Sequence, residues 1–168
     1  GASGGVGSAV IQLAKLRGAH VTAQSSSFKH NEIRKIGADV VVDRNTKLIK
    51  EFGKNKFDIV IDVVAGSNWP QLLDILKPGG RYATSGAIAG PITELDVRTL
   101  YLKDLTLYGC TYQPVEVFKN LIGYVERNEI SPLVAQTYPL NQIKKAQEDF
   151  LAKKHIGKLV VIPPFNTI

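Results

Sequence analysis

The chain has 168 residues, enough for one domain, and an ordinary globular composition of 44% hydrophobic and 21% charged residues, which excludes a disordered tail or a collagen-like fibre. A single cysteine, Cys110, excludes a disulfide scaffold or a Cys-rich zinc module and fits a reducing compartment. Lys and Arg number 21 against 15 Asp and Glu, for a net charge of +6. No basic stripe is interleaved with aromatics, no apolar run reaches the roughly 18 residues of a membrane span, and the opening Gly-Ala-Ser-Gly-Gly is no secretory signal. The expectation is a cytoplasmic protein with neither nucleic acid nor a membrane as partner.

In chain order, residues 7–17 read as a helix, with Val10, Ile11, Leu13, Ala14 and Leu16 on a broad apolar face and Gly18 as its stop. A strand over 19–23, a short helix over 31–36 closed by Gly37, and a buried strand over 40–42 follow. Residues 46–52 read as a helix ahead of Gly53. Residues 57–64 form a near-continuous β-branched run, the pattern of a parallel strand covered on both faces. A helix over 68–76 ends at Lys77-Pro78-Gly79-Gly80, a strand covers 81–85, a loop 86–91, and a further strand 105–110. The helix over 115–127 turns Val117, Phe118, Leu121, Ile122 and Val125 inward. A short strand over 134–138, a helix over 141–152 and a strand over 158–162 complete the chain before Pro163-Pro164. Strand and helix alternating over short connections mean an α/β fold, a doubly wound, mostly parallel sheet. The last forty residues, broken by prolines, differ in kind.

The chain opens with Gly1-Ala2-Ser3-Gly4-Gly5-Val6-Gly7 directly before the first helix. Two registers fit: G-x-x-G-x-x-G on Gly1, Gly4 and Gly7, or G-x-G-x-x-G on Ala2, Gly4 and Gly7. Glycines permit a tight turn and close backbone approach, and a helix N-terminus offers free N–H groups and partial positive charge, so the pattern suits a pyrophosphate. The alternative is a plain glycine-rich turn. A strand normally precedes such a loop. Here the loop begins at residue 1, and the expectation is a fragment lacking the fold's first, central strand.

The segments 1–7, Ile11-Gln12-Leu13-Ala14-Lys15, Ile36-Gly37-Ala38-Asp39, 57–62, Leu76-Lys77-Pro78-Gly79-Gly80-Arg81 and Gly157-Lys158-Leu159-Val160-Val161 stand in a specific order. In that order the sequence resembles the cofactor-binding half of the medium-chain dehydrogenase/reductase superfamily, nearest its quinone oxidoreductase branch, also called zinc-type alcohol dehydrogenase-like. The resemblance implies a Rossmann-type domain over 1–129 and a segment over 130–168 that returns to a GroES-like catalytic domain, none of which is in this sequence. It also places the 105–112 strand at the sheet edge, where it pairs with a second copy to make a homodimer.

A fold specific for NAD would carry an acid after the second strand. Here the residues are Gln24, Ser25, Ser26, Ser27, Phe28 and Lys29, with Arg44 after the third strand. Hydroxyls and cations suit a 2′-phosphate, so the cofactor expected is NADPH. The bland alternative is a solvated loop on a charged surface. The expected cofactor contacts are Ala2, Ser3, Gly4, Gly5, Val6 and Gly7 at the pyrophosphate, and Ser25, Ser26, Ser27, Lys29 and Arg44 at the 2′-phosphate. The resemblance adds Val64, Ala65, Ser85, Gly86 and Ala87 at the nicotinamide end. No catalytic acid or base is evident. His20, His30 and His155 lack metal spacing, and zinc is not expected in this segment. Tyr112, Tyr124 and Tyr138 read as core or surface, Trp69 as packing, and Asp62 as either structural or near the cofactor. The function implied is the NADPH domain of an oxidoreductase passing hydride to a quinone or an activated C=C, the fragment alone being inactive. The alternatives are the cofactor domain of a zinc-dependent alcohol dehydrogenase and a non-catalytic nucleotide-binding or interaction protein.

Overall fold

The computed structural model describes residues 1–164; the last four residues of the expected 130–168 segment lie outside the described residues. The elements in chain order are α1 (Gly5–Leu16), β1 (Thr22–Ser25), α2 (His30–Lys35), β2 (Val40–Asp43), α3 (Leu48–Phe52), β3 (Phe57–Asp62), α4 (Trp69–Asp74), β4 (Leu76–Thr84), α5 (Val97–Tyr101), β5 (Thr106–Gly109), α6 (Val115–Glu126), β6 (Val134–Pro139), α7 (Ile143–Ala152) and β7 (Lys158–Ile162). Short 3-10 turns lead into α2, α4 and α7. The strands form three hydrogen-bonded sets, β1-β2, β3-β4-β5 and β6-β7. Every pairing is parallel. Each strand reaches its parallel neighbour through a helix, because such neighbours need a crossover. The fold is α/β with parallel sheets, as the alternating pattern requires.

The chain divides into two compact bodies, one of residues 2–44 with 120–164, the other of residues 45–119 with Gly1. In the first body, α1 and α2 bury Ile11 and Ile33 against Ala23 and Val41 of β1 and β2. Ile33 is fully buried, a burial worth on the order of 2 kcal/mol. Asp39 locks this βαβ unit: its carboxylate accepts the Val21 N–H at 2.7 Å and the Lys15 ammonium at 2.9 Å. Those two partners hold its carboxyl below the usual Asp range.

In the second body, Trp69, Leu73, Leu76, Tyr82 and Leu105 form the core, with Trp69 edge-on to Tyr82 at 5.7 Å. Trp69 is therefore a packing residue. The apolar cluster gathers on the face of β3-β4-β5 that carries Val60, Tyr82 and Leu107. Ile59 and Ile61, on the other face, remain 49% and 46% exposed. That exposure is more than the near-continuous β-branched run of 57–64 leads one to expect, since the apolar cluster holds Val60 of this strand and not its two isoleucines.

Other differences are local. The 19–23 strand is observed as β1 at 22–25, because Ala19 N–H closes the end of α1 on Ala14 O at 3.0 Å. β3 stops at Asp62, whose carboxylate turns the chain. Residues 77–80, read as a helix end, lie within β4, with a register shift against β3. α5 has no counterpart among the elements the pattern predicts; Asp96 caps it by accepting the Arg98 N–H at 3.0 Å. The inward apolar face of α6 is also corrected: Val117, Phe118, Leu121 and Ile122 are exposed and Val125 is half-buried.

Candidate functional site

The glycine loop belongs to the first body. Gly4 is extended (φ −78°, ψ 174°) and leads into α1 with no side-chain cap and no acid in the first turn. The N–H groups of that turn lack intrahelical acceptors by geometry. The first to find one is Ser8, whose N–H donates to Gly4 O at 2.9 Å. The loop is braced from the far end of the chain. Gly4 bridges to Gly157 in parallel, and the Gly157 N–H donates to Ser3 O at 2.9 Å. Gly157 adopts φ +83°, and a Cβ there would strike Leu133 O, so the brace requires glycine.

Lys158 lies across Gly5. A Cβ on Gly5 would collide with the Lys158 Nζ and stand 2.5 Å from its Cε. An ammonium therefore sits at the positive end of the α1 dipole, with no acid in the first turn to offset it. These charges repel one another in the free protein and are relieved by a bound anion, which is the test a pyrophosphate site must pass. Lys158 has no local signal, because β7 and the loop are brought together only by the fold.

The expected 2′-phosphate residues separate into two groups. Ser26 is half-buried, and Ser27 and Arg44 are exposed at the ends of β1 and β2. Ser25 and Lys29 are instead buried. The Lys29 ammonium donates to His155 O at 2.6 Å, Lys153 O at 2.8 Å and Ser3 Oγ at 3.4 Å, so it differs from the free cation that was expected. Burial and neighbouring Lys153 pull its pKa below the usual lysine value. Asp43 enters the neighbourhood unforeseen: its carboxylate accepts the Ser27 N–H at 3.2 Å. Asp43 ends β2, one strand later than the position where an NAD-specific fold carries its acid.

In the second body, Asp62 organises the loop that holds Val64 and Ala65. Its Oδ1 accepts the Val64 N–H at 2.8 Å and the Ala65 N–H at 3.1 Å, and Oδ2 accepts the Tyr82 hydroxyl at 2.8 Å. Burial and the Asp62 carboxylate push the Tyr82 phenol up to about 12. Ala65 takes φ +54°, strained for a residue with a Cβ. The neighbouring loop of Ser85, Gly86 and Ala87 is laced to it: Ser85 N–H donates to Asp62 O at 3.1 Å and Ala89 N–H to Val64 O at 2.9 Å. A Cβ on Gly86 would lie 3.0 Å from Val63 O. Both loops follow strand C-termini, where doubly wound sheets bind ligands. A cleft of about 290 Å³ opens beside them, lined by Ala65, Trp69, Thr84, Ala87, Leu107 and Tyr108 among others.

The discounted residues have structural partners or none that suit chemistry. Tyr138 donates to Asp149 at 2.8 Å, Tyr124 stacks under Arg17 and Arg127, and Tyr112 is exposed. His20 lies outside β1, 3.7 Å from Asp39, and His30 Nε2 meets Ser25 O at 3.2 Å. Among the described residues no three His, Cys, Asp or Glu groups gather as a metal site, and no helix is long and apolar enough to cross a membrane.

The family model described as zinc-binding dehydrogenase matches residues 5–127. Among curated proteins, an acryloyl-coenzyme A reductase of Sulfurisphaera tokodaii is 32% identical over 97% of this chain and 49% of its own length. A mitochondrial NAD(P)H oxidoreductase of Danio rerio is 41% identical over 96% of this chain and 47% of its own length. A solved structure from Sinorhizobium meliloti described as an alcohol dehydrogenase is 47% identical, with TM-score 0.91 over 98% of this chain and 47% of that one. The chain thus spans about half the length of the relatives it matches. With the family match, the parallel α/β fold and the glycine-loop helix in agreement, the chain belongs to the zinc-binding dehydrogenase family, as part of its cofactor-binding half.

Proposed function

We propose that this chain is the NADPH-binding domain of an oxidoreductase whose whole form passes hydride to a quinone or to an activated C=C such as an enone. The observation that carries the reading is the uncapped start of α1, where the glycines and the Lys158 ammonium lie at a first turn that has neither a side-chain cap nor an acid. That arrangement fits a pyrophosphate. Residues 2–7 and Lys158 would hold it, and Ser26, Ser27 and Arg44 would face the 2′-phosphate. As the family resemblance implies, the backbone of Val64, Ala65, Ser85, Gly86 and Ala87 would receive the nicotinamide end. NADPH, when bound, supplies the hydride; the protein's part is to orient it and exclude water.

The named substrate of the acryloyl-coenzyme A reductase supports the activated C=C. The alcohol dehydrogenase description of the Sinorhizobium meliloti structure, together with the zinc-binding dehydrogenase family model, favours a second reading, a zinc-dependent alcohol dehydrogenase. Retained binding without turnover would mark a third, a nucleotide-binding interaction protein. β5 lies at the edge of its sheet, and its pairing with a second copy would give a homodimer. Residues 130–168 would return to the catalytic domain of the whole enzyme. The test is NADPH oxidation by the whole protein with a quinone, an enone or an aldehyde, with zinc content measured alongside. Enone or quinone turnover without zinc supports the proposal; zinc-dependent aldehyde turnover alone overturns it in favour of the second reading.

A further inference from the structure

Lys29 is 6% exposed, although it was expected at a phosphate in solvent. A buried ammonium must have its donors satisfied. Here all three N–H groups have acceptors: two carbonyls of the turn between α7 and β7, and the Ser3 hydroxyl of the glycine loop. The same turn runs on to Gly157, whose N–H holds Ser3 O, and to Lys158, which lies over Gly5. The loop is thus pinned to the 153–158 segment at successive points, with Lys29 beneath Ser3. Lysine can only donate, so the Ser3 oxygen accepts from it and the Ser3 hydroxyl keeps its own proton as a donor.

We propose that Lys29 is a positioning residue for the pyrophosphate and not a reader of the 2′-phosphate. It pins the 153–155 turn to the glycine loop and orients the Ser3 hydroxyl. It thereby sets the affinity for the portion that NADPH and NADH share. This rests on the dinucleotide reading above and revises one residue's role within it.

The test compares Lys29→Met and Ser3→Ala with the unaltered protein, using NADPH, NADH and adenosine 2′-monophosphate, which carries the 2′-phosphate without a pyrophosphate. Lys29→Met is expected to weaken NADPH and NADH equally, by about tenfold, and to leave adenosine 2′-monophosphate unchanged. Ser3→Ala, which leaves both carbonyl bonds of Lys29 in place, is expected to weaken both dinucleotides equally by a few-fold. A loss confined to NADPH and adenosine 2′-monophosphate would overturn the proposal, as would an equal loss of all three. Amide hydrogen exchange without nucleotide is a second readout. Faster exchange at Gly157 in Lys29→Met is expected, and unchanged exchange would overturn the pinning. Were neither dinucleotide to bind the unaltered protein, the dinucleotide reading would fail and the affinity role with it, while exchange would still judge the pin.

Discussion

Asp62 offers a quantitative test of the loop that carries Val64 and Ala65. It is 6% exposed and accepts from two backbone N–H groups and the Tyr82 hydroxyl, all within 3.1 Å. Asp62→Ala removes the acceptor and leaves three donors stranded. The half-buried Val64 and Ala65 N–H groups cost about 1–1.5 kcal/mol each when stranded and the buried Tyr82 hydroxyl about 1–2 kcal/mol, so the expected destabilisation is about 3–5 kcal/mol. For a chain of this length that corresponds to a fall in Tm of about 10 °C. Asp62→Asn keeps an acceptor for the two N–H groups and offers its amide N–H to the phenol oxygen, so it should cost about 1 kcal/mol. Urea titration of both variants measures the difference, and a cycle with Tyr82→Phe should show about 1 kcal/mol of coupling. An Asp62→Ala loss under 1 kcal/mol, or one equal to that of Asp62→Asn, would refute the reasoning.

The Tyr82 phenol, raised from 10.0 to about 12, contributes stability that is full below the unfolded value and lost as pH rises through the folded one. At about 1.4 kcal/mol per pH unit, roughly 2–3 kcal/mol should disappear between pH 10 and 12, and Tyr82→Phe should flatten that limb in a pH series of urea titrations. Asp39 is shifted downward, so its contribution is complete above the ordinary Asp value and is lost as pH falls through the folded one; acid titration of Asp39→Asn should lack that component. Gly157→Ala should destabilise by several kcal/mol, since it combines φ +83° with a collision at Leu133 O, and should weaken both dinucleotides. Lysines at Thr106 and Tyr108 of the β5 edge should shift a dimer to monomers in sedimentation velocity.

The local features were legible. The helix after the glycine loop, the β3 run and the βαβ alternation follow from glycine punctuation and periodicity, and each is observed to within a few residues. What the periodicity of α6 could not say is whether its apolar face has a partner: Val117 and Phe118 repeat correctly but are exposed. The site was legible where a motif is contiguous, as in residues 1–7. It was illegible where the fold joins distant segments: Lys158 over Gly5, Asp43 at Ser27, and the burial of Lys29 under the 153–155 turn. The sequence marks Lys29 as a cation near a phosphate loop, but only the fold shows which way its ammonium turns.

The most direct test of the central claim is calorimetric titration of the chain with NADPH and NADH. The account predicts saturable binding of both through the glycine loop, with NADPH the tighter. A preference for NADH would remove the 2′-phosphate assignment at Ser26, Ser27 and Arg44 and turn attention to Asp43. Binding of neither would contradict the claim that the uncapped start of α1 is a pyrophosphate site.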